Sequence, residues 1–210
     1  MRALLFANGE LPSRVLIEAL RAEADIVVAA DGGVDKALAS GVKVDVVVGD
    51  LDSSSPEARA SLPGNALRPS GDADSTDLQK AVAFCIERGC DVIDIVAAGG
   101  GRADHALANL SVLTMFGRQA TIRIVDDLFN VELVVGVAAI EAEPGTVVSL
   151  VAIGPCTGIS TTGLRWNLTD AALTFSPRGV HNEVASRPAT VSVDQGDLLL
   201  FRGRWVERHG

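Results

Sequence analysis

The chain has 210 residues, 48% of them hydrophobic and 21% charged, a globular composition with room for one large domain or two small ones. Its net charge of −9 at pH 7 argues against a nucleic-acid partner held on a broad basic face. A nucleotide is still allowed, since a few cations and backbone N–H groups suffice to hold one. No run reaches the roughly 18 apolar residues of a membrane span, so no membrane partner is expected.

The opening "MRALLFANGE" carries a short apolar run broken by Asn8 and Glu10, which reads as a first strand rather than a secretory signal. A helix is expected over "PSRVLIEALRAEA", a strand over "DIVVAA" ending at Asp31-Gly32-Gly33, a short helix over "VDKALASG" and a third strand over "VDVVVGD". Thr76 and Gln79 have capping-box spacing. Leu78, Ala81, Val82, Cys85 and Ile86 then share one helical face over "TDLQKAVAFCIERGC". "DVIDIVAA" (strand), "DHALANLSVLTMFG" (one helix) and "TIRIVD" (strand) follow. Unalternating apolar strands interleaved with helices imply a doubly wound, mostly parallel α/β domain over residues 1–130. From 131 to 210 helical periodicity stops. The β-rich runs "VELVVG", "TVVSLVAI", "AALTF", "ATVSV" and "DLLLF", separated by turn signals such as "GPCTG", imply an antiparallel β-sandwich. Cys85, Cys90 and Cys156 are odd in number and lack metal-ligand spacing, which suits buried thiols in a reducing cytoplasm.

The chemistry gathers where the parallel strands end, which is where open α/β sheets bind ligands. Asp31, Gly32 and Gly33 follow strand two, Asp50 and Asp52 follow strand three, Asp72, Asp74 and Asp77 lead into the capped helix, and "GGGRADH" follows "DVIDIVAA". Five of these carboxylates (Asp50, Asp52, Asp74, Asp77 and Asp104) would repel one another unless a hard cation such as Mg2+ joined them. Gly100 and Gly101 allow a close backbone approach to phosphate, and Arg102 adds a cationic fork. Each residue alone has a plainer reading. A strand-end Asp is often a turn former, Asp77 can answer a helix dipole, and His105 can be a local hydrogen-bonding group. Trp166 can be hairpin packing, and Asn182 a turn residue.

In order, "ADGG" (30–33), "GDLDS" (49–53), "DSTDLQKA" (74–81), "GGRADH" (100–105) and, more loosely, "DLFN" (127–130) match motifs of the thiamine pyrophosphokinase family, which the chain resembles along essentially its whole length. "TTGLRWNL" (161–168) and "HNE" (181–183) resemble its thiamine-side segments. The resemblance implies a two-domain homodimer, with its active site at the interface, that transfers pyrophosphate from ATP to the hydroxyl of thiamine and releases AMP. It implies Asp50, Asp52, Asp74, Asp77 and Asp104 around Mg2+, with Arg102 beside the phosphates. Asp31, Gly32, Gly33, Gly100, Gly101, Arg102, His105, Asp127 and Asn130 are implied around ATP, and Thr162, Trp166 and Asn182 around thiamine. Two positions depart from the pattern. Ala73 stands where many members carry lysine, so that cation is missing or supplied by Arg68, and His181 stands where serine is common. The rival readings are a pyrophosphokinase for another small alcohol such as a pterin, and a non-catalytic nucleotide-binding or sensor protein.

Overall fold

The computed structural model describes residues 1–50, 52–62, 66–69 and 74–206; Asp72 and Ala73 lie outside the described residues. The chain divides into two compact units, Met1–Asp127 and Leu128–Gly210.

The first unit runs β1 (Arg2–Phe6), α1 (Arg14–Glu23), β2 (Ile26–Ala30), α2 (Gly33–Ala39), β3 (Val46–Gly49), α3 (Pro56–Ser61), β4 (Leu67–Pro69), α4 (Asp77–Glu87), β5 (Val92–Val96), α5 (Ala103–Asn109), α6 (Ser111–Phe116) and β6 (Thr121–Val125). Its strands lie in the order β4-β3-β2-β1-β5-β6, and every pair is parallel. The order reverses between β1 and β5, which fixes the switch point where the connections leave a crevice. The fully buried side chains of Leu4, Phe6, Val27, Ala29, Val47 and Val96 explain the unbroken apolar runs, since both sheet faces are covered. Ser13 caps α1, accepting from the Leu16 N–H, and Thr76 Oγ1 caps α4, accepting from the Gln79 N–H at 3.2 Å.

Two elements escaped the sequence reading. α3 begins with a Ser-Pro signature, in which Ser55 Oγ accepts from the Ala58 N–H at 3.0 Å and Pro56 opens the helix. β4 has only three residues, too short for a periodic signal. The helix expected over 104–117 is two helices. Near the break Asn109 donates its side-chain amide to the Ala98 carbonyl at 2.8 Å, and Ser111 Oγ donates to Ala108 O at 2.6 Å, a local bond that competes with a continuous helix. No helix among the described residues is long and apolar enough to cross a membrane.

The second unit is antiparallel: β7 (Phe129–Leu133), β8 (Val137–Ala139), β9 (Thr146–Thr162), β10 (Ala171–Leu173), β11 (Asn182–Glu183), β12 (Thr190–Ser192) and β13 (Gln195–Val206). β13 lies between β7 and β9, and β12 joins the far end of β9 to β8. β9 runs straight through "GPCTG", where the turn residues predict a break. Gly154 and Gly158 hold positive φ there, and the strand carries on past them to pair with β10 and β12. Leu150, Ile159, Leu164, Val184, Val191 and Leu198 fill its core. Cys85, Cys90 and Cys156 are buried free thiols, and burial raises the pKa of each.

Candidate active site

The ends of β2 and β3 and the start of α4 bring three acids together. Asp31, Asp50 and Asp77 each offer a carboxylate oxygen, and these atoms lie within 4.8 Å of one another. Asp31 is 2% exposed and holds φ at 39°, a left-handed conformation costly for a residue with a side chain. Its Oδ2 accepts from the Ser53 N–H at 2.9 Å, while Oδ1 is buried with no hydrogen-bond partner among the described residues. Desolvation raises the Asp31 pKa against the Ser53 hydrogen bond, and the charges of Asp77 and Asp52 raise it further. Gly49 makes this crowding feasible. A Cβ there would stand 2.9 Å from Asp31 Cβ and 3.0 Å from Asp77 Oδ1, and its φ of 148° suits glycine alone. The Lys80 ammonium, 9% exposed, donates to Asp77 Oδ1 at 3.2 Å and offsets one charge of the group.

The donor set is all oxygen, and a buried carboxylate oxygen is left unpaired within it, so these residues fit a hard divalent cation. Asp52 sits beside the group rather than in it. Its N–H donates to Asp50 Oδ1 at 3.3 Å, and its Oδ1 accepts from Ser53 Oγ at 2.8 Å. Asp74 stands exposed ahead of α4, outside the three.

A cavity of about 810 Å³ opens along these strand ends, with Asp31, Gly32, Asp77, Gly100, Gly101, Arg102, Asp104 and His105 in its wall. Arg102 grips Asp104 with two bonds, Nε to Oδ1 at 3.2 Å and Nη2 to Oδ2 at 2.6 Å. That contact holds the Asp104 carboxyl down at about 2. Both side chains are largely exposed, at 73% and 64%, so the pair opens at little cost to receive an anion. Asp127 is engaged elsewhere, accepting from the Ser13 N–H at 2.7 Å and from Ser13 Oγ at 2.6 Å. Asn130 lies on β7 of the second unit, where its Oδ1 accepts from Arg204 Nη1 at 3.2 Å.

Several wall residues were not singled out from the sequence: Asn8 and Glu10 after β1, Lys36 on α2, Ser53 and Asn109. The signal existed. The end of β1 is as much a ligand position as the ends of β2, β3 and β5, yet "NGE" served there only to rule out a signal peptide. The Gly9 N–H donates to Ala97 O at 2.6 Å and the Glu10 N–H to Gly99 O at 2.9 Å, stitching this segment to the glycine loop. Glu10 Oε1 then accepts from the Gly101 N–H at 3.3 Å, and Gly100, at φ 76°, leaves room for the Glu10 side chain where a Cβ would lie 2.4 Å from its Cδ.

In the second unit Trp166 is 56% exposed, so its ring is not part of the core. Asn182 clamps its backbone from both sides: the Trp166 N–H donates to Asn182 Oδ1 at 3.2 Å, and Asn182 Nδ2 donates to Trp166 O at 2.7 Å. The Arg165 guanidinium lies 4.9 Å from the Trp166 ring centroid. Thr162 is exposed and shares a 2.7 Å hydroxyl contact with Thr190, and His181 is held at φ 63° with its N–H on Ser149 Oγ at 2.9 Å.

Two family models match the chain: the thiamin pyrophosphokinase catalytic domain over residues 17–125, and the thiamin pyrophosphokinase vitamin B1 binding domain over residues 138–198. Thiamine pyrophosphokinase 3 of Oryza sativa subsp. japonica is 31% identical, across 95% of this chain and 85% of its own. Thiamin pyrophosphokinase 1 of Caenorhabditis elegans is 30% identical, across 94% and 86%. The fold is shared with the Bacillus subtilis thiamine pyrophosphokinase structure (TM-score 0.82, 24% identity, 97% and 99% of the two chains). It is also shared with the yeast thiamin pyrophosphokinase structure (TM-score 0.78, 16% identity, 96% and 86%).

Proposed function

From the premise that this chain belongs to the thiamin pyrophosphokinase family, we infer that it transfers pyrophosphate from ATP to the hydroxyl of thiamine, giving thiamine diphosphate and AMP. The observation that carries the chemical reading is the buried, unpaired Oδ1 of Asp31 beside Asp50 and Asp77 at the wall of the cavity. ATP occupies this cavity, its phosphates toward the acids and the glycine loop. Asp31, Asp50 and Asp77 would hold the divalent cation, with Asp52 and Asp74 each within three residues of one of them and Asp104 in the wall of the same cavity. When bound, Mg2+ neutralises the polyphosphate and the departing AMP.

The thiamine hydroxyl oxygen attacks the β-phosphorus in line, and a new P–O bond forms as the bond from the β-phosphorus to the α–β bridging oxygen breaks. The hydroxyl proton passes to a carboxylate, Asp74 or Asp77, and the electron pair of the broken bond leaves on AMP. Arg102, released from Asp104, meets the phosphate charge. Glu10 holds the glycine loop in place through Gly101. Glu10→Ala is therefore expected to raise the KM for ATP about two- to tenfold, the worth of one hydrogen bond. Glu10→Gln, whose amide oxygen still accepts from Gly101, should stay near wild type, and steady-state kinetics with varied ATP measure both.

Trp166 forms the thiamine-side surface, with Asn182 fixing its backbone and Thr162 on the same unit. A cationic ring over an aromatic face gains about 0.5–2 kcal/mol, so Trp166→Ala should weaken thiamine about two- to thirtyfold and leave ATP unchanged. Because the ring is largely exposed, the melting temperature should hold, and titration of each ligand beside a melt tests this. A homodimer is part of the same proposal. It is supported by exposed apolar side chains on the second unit, Trp166, Phe175 at 65% and Val180 at 51%, which a second copy would cover. A reducing cytoplasm is supported by the three buried free thiols. Incubation with ATP and Mg2+ and either thiamine or a hydroxymethyl pterin tests the acceptor. Thiamine diphosphate with equimolar AMP is expected, and pyrophosphorylated pterin alone would overturn it.

A further inference from the structure

We propose that Lys36 is the cation that grips the polyphosphate of the nucleotide, a role that rests on reading the first unit's cavity as the ATP site. Four carboxylates reach the cavity wall, on Glu10, Asp31, Asp77 and Asp104, against two permanent cations, Lys36 and Arg102. Arg102 spends two donors on Asp104, and the nearby Lys80 is bound to Asp77. Lys36 is the cation left over. Its side chain is half-buried in the wall and makes no hydrogen bond or ion pair with the described residues, although four acids share that wall. The adjacent acid Asp35 is occupied, with Oδ1 taking the Ser55 hydroxyl at 2.5 Å and Oδ2 the Ser55 N–H at 2.9 Å. Three ammonium donors therefore stay unspent at the rim of a cavity whose own groups repel an anion. An ammonium is a compact point charge on a flexible stem, suited to a phosphate chain that must be held while its β-phosphorus is attacked.

The test compares Lys36→Met, Lys36→Arg and a control, Lys43→Met, which removes the same charge from an exposed lysine absent from the cavity wall. Titrations in Mg2+ use inorganic tripolyphosphate and adenosine as separate probes of the two ends of the nucleotide, and kinetics give the KM for ATP and for thiamine. Lys36→Met is expected to weaken tripolyphosphate and raise the ATP KM about ten- to a hundredfold, the worth of a hydrogen bond to a charged group. Adenosine binding and the thiamine KM should be unchanged. Lys36→Arg should recover most of the loss, and Lys43→Met should match the wild type. An ATP KM and tripolyphosphate affinity within twofold of wild type in Lys36→Met would overturn the assignment, as would equal losses for tripolyphosphate and adenosine. Tripolyphosphate titration needs no turnover. A wild-type protein that binds it through Lys36 and yet forms no thiamine diphosphate would therefore refute the reaction and leave the Lys36 assignment standing.

Discussion

Asp31→Asn is expected to cut turnover about a hundredfold or more while making the metal-free protein more heat-stable. Asparagine keeps the shape and an oxygen for the Ser53 N–H, so the loop from β3 stays anchored. What it removes is a buried charge crowded by Asp50 and Asp77. In the proposed reaction that charge would help hold the cation facing the phosphates, and one such electrostatic contact is worth about 3 kcal/mol. In the metal-free protein the same charge is a burden, and its pH dependence has a definite sign. Burial raises the folded-state pKa above the ordinary carboxylate value. The stabilising contribution of the protonated form is therefore complete below that ordinary value and is lost as pH rises through the raised one. The melting-temperature advantage of Asp31→Asn over the wild type should accordingly widen with pH across that window. Added Mg2+ should raise the wild-type melting temperature and leave the variant nearly unmoved, because only a ligand of the folded state shifts the transition. Unchanged turnover together with an undiminished Mg2+ shift would remove Asp31 from the metal site.

What the sequence made legible follows from the physics of parallel sheets. The ends of β2, β3 and β5 were readable because each places acids or glycines directly after an apolar run, and the β1 end was readable by the same rule but overlooked. The dominance of Asp31 was not. "ADGG" gives no sign that this carboxylate is 2% exposed with one oxygen unpaired among the described residues, since that depends on Gly49 at the end of β3 and Asp77 at the start of α4, 18 and 46 residues away. Asp52 and Asp74 had equal claims on spacing, and only the fold separates them from the trio. In the second unit, β9 hid its length because glycines that usually mark turns here let one strand pair with several partners in succession. Trp166 was ambiguous because a tryptophan in a β-rich segment reads the same buried or exposed.

Asp94 shows the opposite case, an acid inside a strand whose expected effect is on stability alone. It is 1% exposed on β5, and it accepts from Arg2 Nε at 2.8 Å on β1 and from Arg123 Nε at 2.7 Å on β6, tying three strands together. Asp94→Ala would take this partner from both guanidinium groups, leaving Arg2 its ion pair with Glu23, and open a small void. Breaking a buried pair costs about 3–5 kcal/mol. The arginines keep 27% and 22% exposure and can partly rehydrate, so the lower end applies. A loss of about 3 kcal/mol corresponds to a fall of roughly 6–12 °C in melting temperature for a chain of this size. Because Asp94 is absent from the cavity wall, turnover well below the transition should be nearly normal. A thermal melt paired with an assay at low temperature checks both halves. An unchanged melt, or a loss of turnover in the folded variant, would contradict this division between acids that hold the sheet and acids that face the ligand.

Transfer of a pyrophosphate unit is followed at the β-phosphorus. ATP labelled at that atom is incubated with the protein, Mg2+ and thiamine, and the products are separated. The label is expected in thiamine diphosphate, one for each unlabelled AMP formed, with the yield collapsing in Asp31→Asn. Label retained in ADP beside thiamine monophosphate, or label released as free pyrophosphate whether or not thiamine is present, would contradict it.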